Sequence, residues 1–282
     1  MKIRNYIYPS VFALAAVLFT SCSPDESGNG NGIVNTQTLD ASFTITPVPG
    51  SSNRFIVSGS TSGLTHSWNG LRGTDSKELF FPLAGTYNVS HTICGIGGED
   101  CVTATQPITV ASDDPIAFNR IDGGEFETAE DIAQWTLFPA SVSGASWTFA
   151  NGTATTTGTQ SWAHQNIYQT FEVEAGHDYM FDLHVSGAGG VNNFYFEVYA
   201  GFNPPVAGSD YNEGGKILAL STWNSANCGL NPFNGMLSDI GCEGSKIKRF
   251  DRSGTVYLVM RTGSEFTPFS VTIDNVSVRA IN

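Results

Sequence analysis

The chain has 282 residues, of which 13 are basic and 26 acidic, giving a net charge of −13. A surface of that sign repels nucleic acid and anionic lipid, and it disfavours a polyanionic glycan unless calcium or a local basic patch intervenes. Charged residues make up only 14% of the chain against 12% aromatic residues and 31 glycines, the profile of short strands and frequent turns with aromatic side chains left over for a binding face.

Lys2 and Arg4 open the chain, and residues 11–19 are apolar. That stretch is too short to span a bilayer and has the form of a signal-peptide core. It runs into Phe19-Thr20-Ser21-Cys22, which resembles a lipobox with Phe19 where leucine is usual. The resemblance implies a cleaved leader over 1–21 and a lipid on Cys22; an ordinary secretory signal ahead of a cysteine is the alternative. Residues 22–38 are polar and Gly-rich, a flexible tether. Its acidic start, Asp25-Glu26, resembles the signal that sends some lipoproteins to the outer face of the outer membrane. Membrane contact would then run through the lipid alone. Removing the leader leaves 11 basic against 26 acidic residues, or −15.

The 5 cysteines are Cys22, Cys94, Cys101, Cys228 and Cys242. An odd count in an exported chain requires one that is not paired. With Cys22 lipidated, two local pairs remain, Cys94 with Cys101 and Cys228 with Cys242, as suits an oxidising compartment. Zinc is the competing use, but there is no Cys-x-x-Cys and no histidine stands at ligand spacing from another.

No segment sustains a helical period; alternation between turn residues recurs instead. In a first block, 39–112, the alternating pairs are Phe43 and Ile45, Phe55 and Val57, Tyr87 and Val89, and Ile108 and Val110. Residues 113–117, opening on Asp113-Asp114-Pro115, form a linker. Ser67-Trp68-Asn69-Gly70, Gly85-Thr86-Tyr87-Asn88-Val89 and the closing Thr109-Val110 resemble the polycystic-kidney-disease (PKD) type of immunoglobulin-like domain, with Asn69 where that family usually has aspartate. The resemblance implies a spacer or contact module with Trp68 in its core and the Cys94–Cys101 hairpin as an added tip.

The second block, 118–282, carries Gly124-Glu125-Phe126-Glu127 and Trp135 near its start. Gln169-Thr170-Phe171 and Val256 to Arg261 follow, and Thr272-Ile273-Asp274-Asn275-Val276 closes it. In that order these marks resemble the jelly-roll carbohydrate-binding modules of family 4 and its relatives, with Gly123 in place of the usual asparagine. The expected fold class is therefore all-β, an immunoglobulin-like sandwich followed by a jelly roll. In the related modules a first-strand glutamate and a last-strand aspartate help hold a structural calcium ion, which implies Glu127 and Asp274 here. Two carboxylates brought together need such a cation and backbone carbonyls to share their charge; the alternative is that both simply hydrogen-bond backbone and hydroxyl groups.

Sugar binding needs flat aromatic faces and planar polar groups. The strand period turns Phe194, Phe196 and Val198 inward and leaves Tyr195, Glu197 and Tyr199 outside. By the same rule Asp182 and His184 face out from 179–185, and Tyr257 and Arg261 from 256–261. Trp162 sits in a polar stretch without core periodicity, and Trp223 leads into the Cys228–Cys242 loop; these two are the expected platforms, while Trp135 and Trp147 belong to packing. The ligand-binding set is thus Trp162, Trp223, Tyr195, Tyr199, Glu197, His184 and Arg261. Asp182 and Glu197 could serve as a glycosidase pair, but no nucleophile elbow, phosphate loop or zinc-protease motif accompanies them, so the chain is expected to bind rather than catalyse. The resemblance implies a surface lipoprotein that captures polysaccharide for an outer-membrane glycan transporter, a neutral β-glucan of the laminarin type first. An adhesin for a protein partner and a glycoside hydrolase are the alternatives.

Overall fold

A computed structural model describes residues 39–59, 65–95, 101–141, 143–223 and 228–282. The leader, Cys22 and the tether lie outside the described residues. In the first block the strands are β1 (Phe43–Pro47), β2 (Arg54–Gly59), β3 (Thr65–Trp68), β4 (Leu71–Gly73), β5 (Ser76–Phe80), β6 (Gly85–Cys94) and β7 (Cys101–Val110). They form two antiparallel sheets, ordered β1-β2-β5 and β4-β3-β6-β7. Asn69 and Gly70 both have positive φ, 50° and 79°, and they join Trp68 to its register partner Leu71. That is the two-residue Asn-Gly turn whose twist suits a hairpin. Trp68 is fully buried and donates from Nε1 to Thr74 O at 3.0 Å. Around it, Phe43, Phe55, Val57, Val89, Ile108 and Val110 make a closed core, and a Cys94–Cys101 disulfide bridges the β6–β7 hairpin.

Asp113 accepts from Ala84 N–H at 2.8 Å and pairs with Arg279 at 3.1 Å, fixing the start of the linker. The second block adds a short helix α1 (Ala129–Ala133) and then β8 (Thr136–Pro139), β9 (Ala145–Ala150), β10 (Thr153–Gly158), β11 (Gln165–Val173) and β12 (Asp178–Gly187). β13 (Phe194–Gly201), β14 (Lys216–Ser221), β15 (Phe233–Met236), helix α2 (Leu237–Ile240), β16 (Glu243–Gly244), β17 (Ile247–Arg249), β18 (Gly254–Ser264) and β19 (Phe269–Ala280) complete it. One sheet runs β15-β12-β19-β10-β9, with β17 also on β12; the other runs β16-β14-β13-β18-β11-β8. Their inner faces share a large apolar core that takes in Phe181, Phe194, Phe196, Leu258, Met260 and Val271, with Trp135 and Trp147 at its margin. The all-β, sandwich-type architecture is as the alternation implies.

Two details correct the sequence reading. Glu127 is not on a first strand: residues 122–125 form a turn, Gly123 and Phe126 have positive φ of 62° and 52°, and Thr128 caps α1 through a reciprocal capping box with Asp131. Those local bonds satisfy the backbone before it can pair as a strand. The Cys228–Cys242 segment is likewise not a plain loop, since it contains β15 and α2, and its Phe233 is buried in the core.

Candidate functional site

The site lies on the outer face of the β16-β14-β13-β18-β11-β8 sheet. Strand period points Tyr195, Glu197 and Tyr199 of β13 outward, and register sets them opposite Gly263, Arg261 and Val259 of β18. Arg261 is thus the cross-strand neighbour of Glu197, 3.9 Å away, and its other nitrogen lies 3.2 Å from Asp210. Glu197 is also 3.0 Å from Lys216 and accepts from the Tyr199 hydroxyl at 3.1 Å. Lys216 has a second carboxylate, Glu243, at 2.6 Å. The result is a floor of alternating charge in which each ion has a partner of opposite sign. Burial alone would lower the Arg261 and Lys216 values, but Tyr195, Asp210, Glu197 and Tyr199 around Arg261, and Glu243 and Glu197 around Lys216, outweigh it and raise both. Burial pushes Tyr195 up to about 12 although Arg261 opposes it, so its phenol stays a neutral hydrogen-bonding group.

At one end of this floor stand the two platform residues. Trp162 is 52% exposed and lies offset-stacked on Trp223, ring centroids 5.4 Å apart and planes 28° apart. That spacing leaves no room for a ring between them, so the face of Trp162 turned away from Trp223 is the one a ligand can use. Trp162 has φ 60°, a left-handed backbone that a bulky residue adopts only when its surroundings enforce it. Here its N–H donates to Ser264 O at 2.9 Å and its carbonyl accepts from the Ser141 hydroxyl. Trp223 donates its N–H to the Ser221 hydroxyl at 3.3 Å; Cys228 N–H donates to Ser221 O and Cys242 N–H to Ala219 O, so the Cys228–Cys242 disulfide is fastened to β14 at both ends. His164 links platform to floor, edge-on to Trp162 at 6.5 Å and to Tyr195 at 5.7 Å. A Cβ at Gly263 would come within 2.6 Å of His164 and 2.8 Å of Tyr195; glycine there lets the two rings meet. Burial lowers the His164 value, Asp210 opposes this, and Arg261 adds to it.

The far end of the floor is roofed. Residues 202–215 leave β13, cross the face and return to β14 as a strap. Its stem is held by the Lys248 ammonium, which donates to Ala200 O and Gly214 O, by Glu213 on Asn203 N–H, and by the Tyr211 hydroxyl on Asn203 O. Tyr211 packs on Tyr199 and Val259, and its carbonyl accepts from Arg261 at 2.7 Å. The tip reaches the edge strand β8 through Gly208 N–H to Pro139 O at 3.2 Å.

Of the residues singled out in the sequence, Trp162, Trp223, Tyr195, Glu197 and Arg261 come together here. Tyr199 faces outward as well but is only 6% exposed, because Tyr211 covers it. His184 does not join them: it is on β12, in the other sheet, as is Asp182, whose carboxylate accepts from Ser238 and Leu183 N–H. Asp182 and Glu197 therefore cannot face each other across one cleft. His164, Asn166, Asp210 and Lys216 are site residues that the sequence reading did not select. His164 lay in the polar stretch beside Trp162, and Asn166 shares the parity of Tyr168, so both carried a local signal; Asp210 and Lys216 carried none.

Asp274 is on β19, and its carboxylate accepts from the N–H and amide of its neighbour Asn275 at 2.6 and 2.9 Å. Glu127 lies against the Asn151-Gly152 turn, where a Cβ on Gly152 would be 2.5 Å from Oε1. That turn opens β10, whose Ala154 pairs with Ile273, the residue before Asp274. Among the described residues no group of three or more His, Cys, Asp or Glu side chains could hold a metal. A cation held by both carboxylates would therefore draw its remaining oxygens from the main chain, amide side chains or water.

No protein-family model and no curated protein matches the sequence. Solved structures similar to the chain include a carbohydrate-binding module from a study of promiscuous specificity in the β-sandwich superfamily, 13% identical over 84% of this chain and 96% of that one, with a TM-score of 0.36. A carbohydrate-binding module in complex with β-1,4-galactotriose is 12% identical over 58% and 99%, TM-score 0.33. The cleaved adhesin domain K3 of Lys-gingipain from Porphyromonas gingivalis is 16% identical over 52% and 92%, TM-score 0.35.

Proposed function

We propose that the chain is a lipid-anchored surface protein that captures a neutral polysaccharide, a β-glucan of the laminarin type first, for an outer-membrane uptake system. The observation that carries the reading is the exposed face of Trp162, backed by Trp223, standing at the edge of a charge-paired floor. An aromatic face offers the C–H face of a pyranose ring a stacking surface, and the neighbouring Tyr195, His164 and Arg261 offer hydroxyls both donors and acceptors. Both cations of the floor are already paired, with Arg261 and Lys216 set among Glu197, Asp210 and Glu243. An anionic sugar would meet three carboxylates for two cations, which favours a neutral chain. The preference for β-glucan rests on the family 4 resemblance, the anchor and the outer-membrane address on the Cys22 context, and the transporter on both. The PKD-like block would then act as a spacer.

Glu197 is engaged by Lys216, Arg261 and Tyr199, which leaves it a structural and ligand-orienting carboxylate rather than a free acid or base. Native affinity electrophoresis in gels containing laminarin, mixed-linkage glucan, xylan, mannan or alginate tests the proposal. A neutral glucan should retard the protein, and Trp162→Ala should lose at least about tenfold in affinity, as truncating an anchor residue does, while melting normally. Retardation by alginate alone would overturn the neutral-glycan assignment, and none in any gel would shift the weight first to a glycan outside this set and then to a protein adhesin.

A further inference from the structure

Asn166 is 1% exposed, and neither its amide nitrogen nor its amide oxygen has a hydrogen-bond partner. It shares the outward parity of Tyr168 on β11, faces Phe138 of β8 in register, and stands one residue beyond the Ile167–Met260 pair, which sets it beside Arg261. So large an unmet capacity is unusual in a buried side chain, and leaving it unmet is unfavourable. What covers this part of the face is the strap. Its stem has the several contacts given above, but its tip is tied to β8 through the Gly208 N–H alone among the hydrogen bonds of the described residues, and Val206 there is 65% exposed. The tip is thus held by fewer bonds than the stem, and between them Asp210 and the Tyr211 carbonyl are tied to Arg261.

Measured along β13, the open floor covers only the levels of Tyr195 and Glu197, about 7 Å of strand, before Tyr211 roofs it at Tyr199. That length is scarcely more than one pyranose ring. A chain lying on Trp162 and running toward the strap has no way through.

We propose that the site reads the end of a glycan chain: the strap stops the chain beyond Arg261, and the Asn166 amide and Arg261 guanidinium take the hydroxyls of its terminal sugar beneath the strap tip. This deepens the glycan reading above and rests on it. A hydroxyl both donates and accepts, so adjacent hydroxyls of one terminal ring meet both ends of an amide, as an internal ring with its linkage oxygens substituted does less well.

The test uses oligosaccharides of graded length from laminarin, mixed-linkage glucan, xylan, mannan and galactan, titrated calorimetrically into the mature protein, Trp162→Ala and Asn166→Leu. A chain-end reader gives a fixed number of proteins per chain at every length, and an affinity that stops rising after a few units. Asn166→Leu, of similar shape and without the unmet polar ends, should melt at the same or a higher temperature yet bind about tenfold or more weakly. A purely structural asparagine would not combine those effects. If Trp162→Ala loses binding while Asn166→Leu retains it, or if bound protein per chain grows with length, the chain-end inference is overturned and the glycan reading stands. If no oligosaccharide binds, both are overturned.

Discussion

Both β-sandwich blocks contain a tryptophan beside a histidine, and the two pairs are put to opposite uses. In the first block the Trp68 and His91 rings stack at 4.0 Å and 13°, both fully buried, with Trp68 Nε1 committed to Thr74 O and His91 Nδ1 within 2.8 Å of Ala41 O. In the second, Trp162 meets His164 edge-on at 6.5 Å, half exposed, and its left-handed backbone is held by Ser264. The same residue types therefore close a core in one place and present a surface in the other. What separates them is position: Trp68 ends a strand between two sheets, whereas Trp162 projects from the β10–β11 connection past the end of one sheet. A platform must also be kept from collapsing inward, and the stacking of Trp223 and the left-handed backbone do this.

Truncation should break that symmetry most strongly. Trp68→Ala removes a buried indole and should destabilise the protein by about 3–5 kcal/mol, a loss that denaturant titration would show as a lower midpoint. Trp162→Ala, measured the same way, should leave stability within about 0.5 kcal/mol of the parent, as surface substitutions do. A large loss in the second variant would mean that Trp162 is packing and not platform.

Acid should come next. Burial lowers the His91 value, with the Ala41 carbonyl opposing and His66 adding to the effect. The folded state thus prefers the neutral imidazole, and the unfolded state binds more protons. The contribution is fully present above the ordinary histidine value near 6.5 and is lost as the pH falls through it toward the folded value. Melting temperature should accordingly drop between about pH 7 and pH 5, and less so in His91→Phe, which keeps the ring but cannot charge. An identical acid slope in both would show that carboxylates elsewhere set it.

The smallest expected effect concerns the second block alone. If Glu127 and Asp274 share a calcium ion, adding calcium to chelated protein should stabilise it by RT ln(1 + [L]/Kd), read as a higher melting temperature, and Glu127→Gln should remove the response while tryptophan fluorescence at low temperature stays unchanged. No calcium-dependent shift would leave the two carboxylates to their hydrogen bonds.

Much of this molecule is legible in its sequence, and the reason is local. Period-two alternation assigned Phe194, Phe196 and Val198 to the core and Tyr195, Glu197 and Tyr199 to the outside, because successive side chains in a strand must point to opposite faces. The odd cysteine count isolated two neighbouring pairs, and both form disulfides. Alternation does not say which strands are neighbours. His184 has the outward parity of Glu197 yet lies on the other sheet, and Asn166 reaches Arg261 only through a pairing in which Gln165 and Thr262 meet across 97 residues of sequence. Nor does it say what covers an outward residue: Tyr199 is buried by Tyr211, from a connection with no strand pattern of its own. Face is fixed by the chirality and pleat of one strand, while the gathering of a floor, its platform and its roof depends on long-range pairing, and only the tertiary structure decides that.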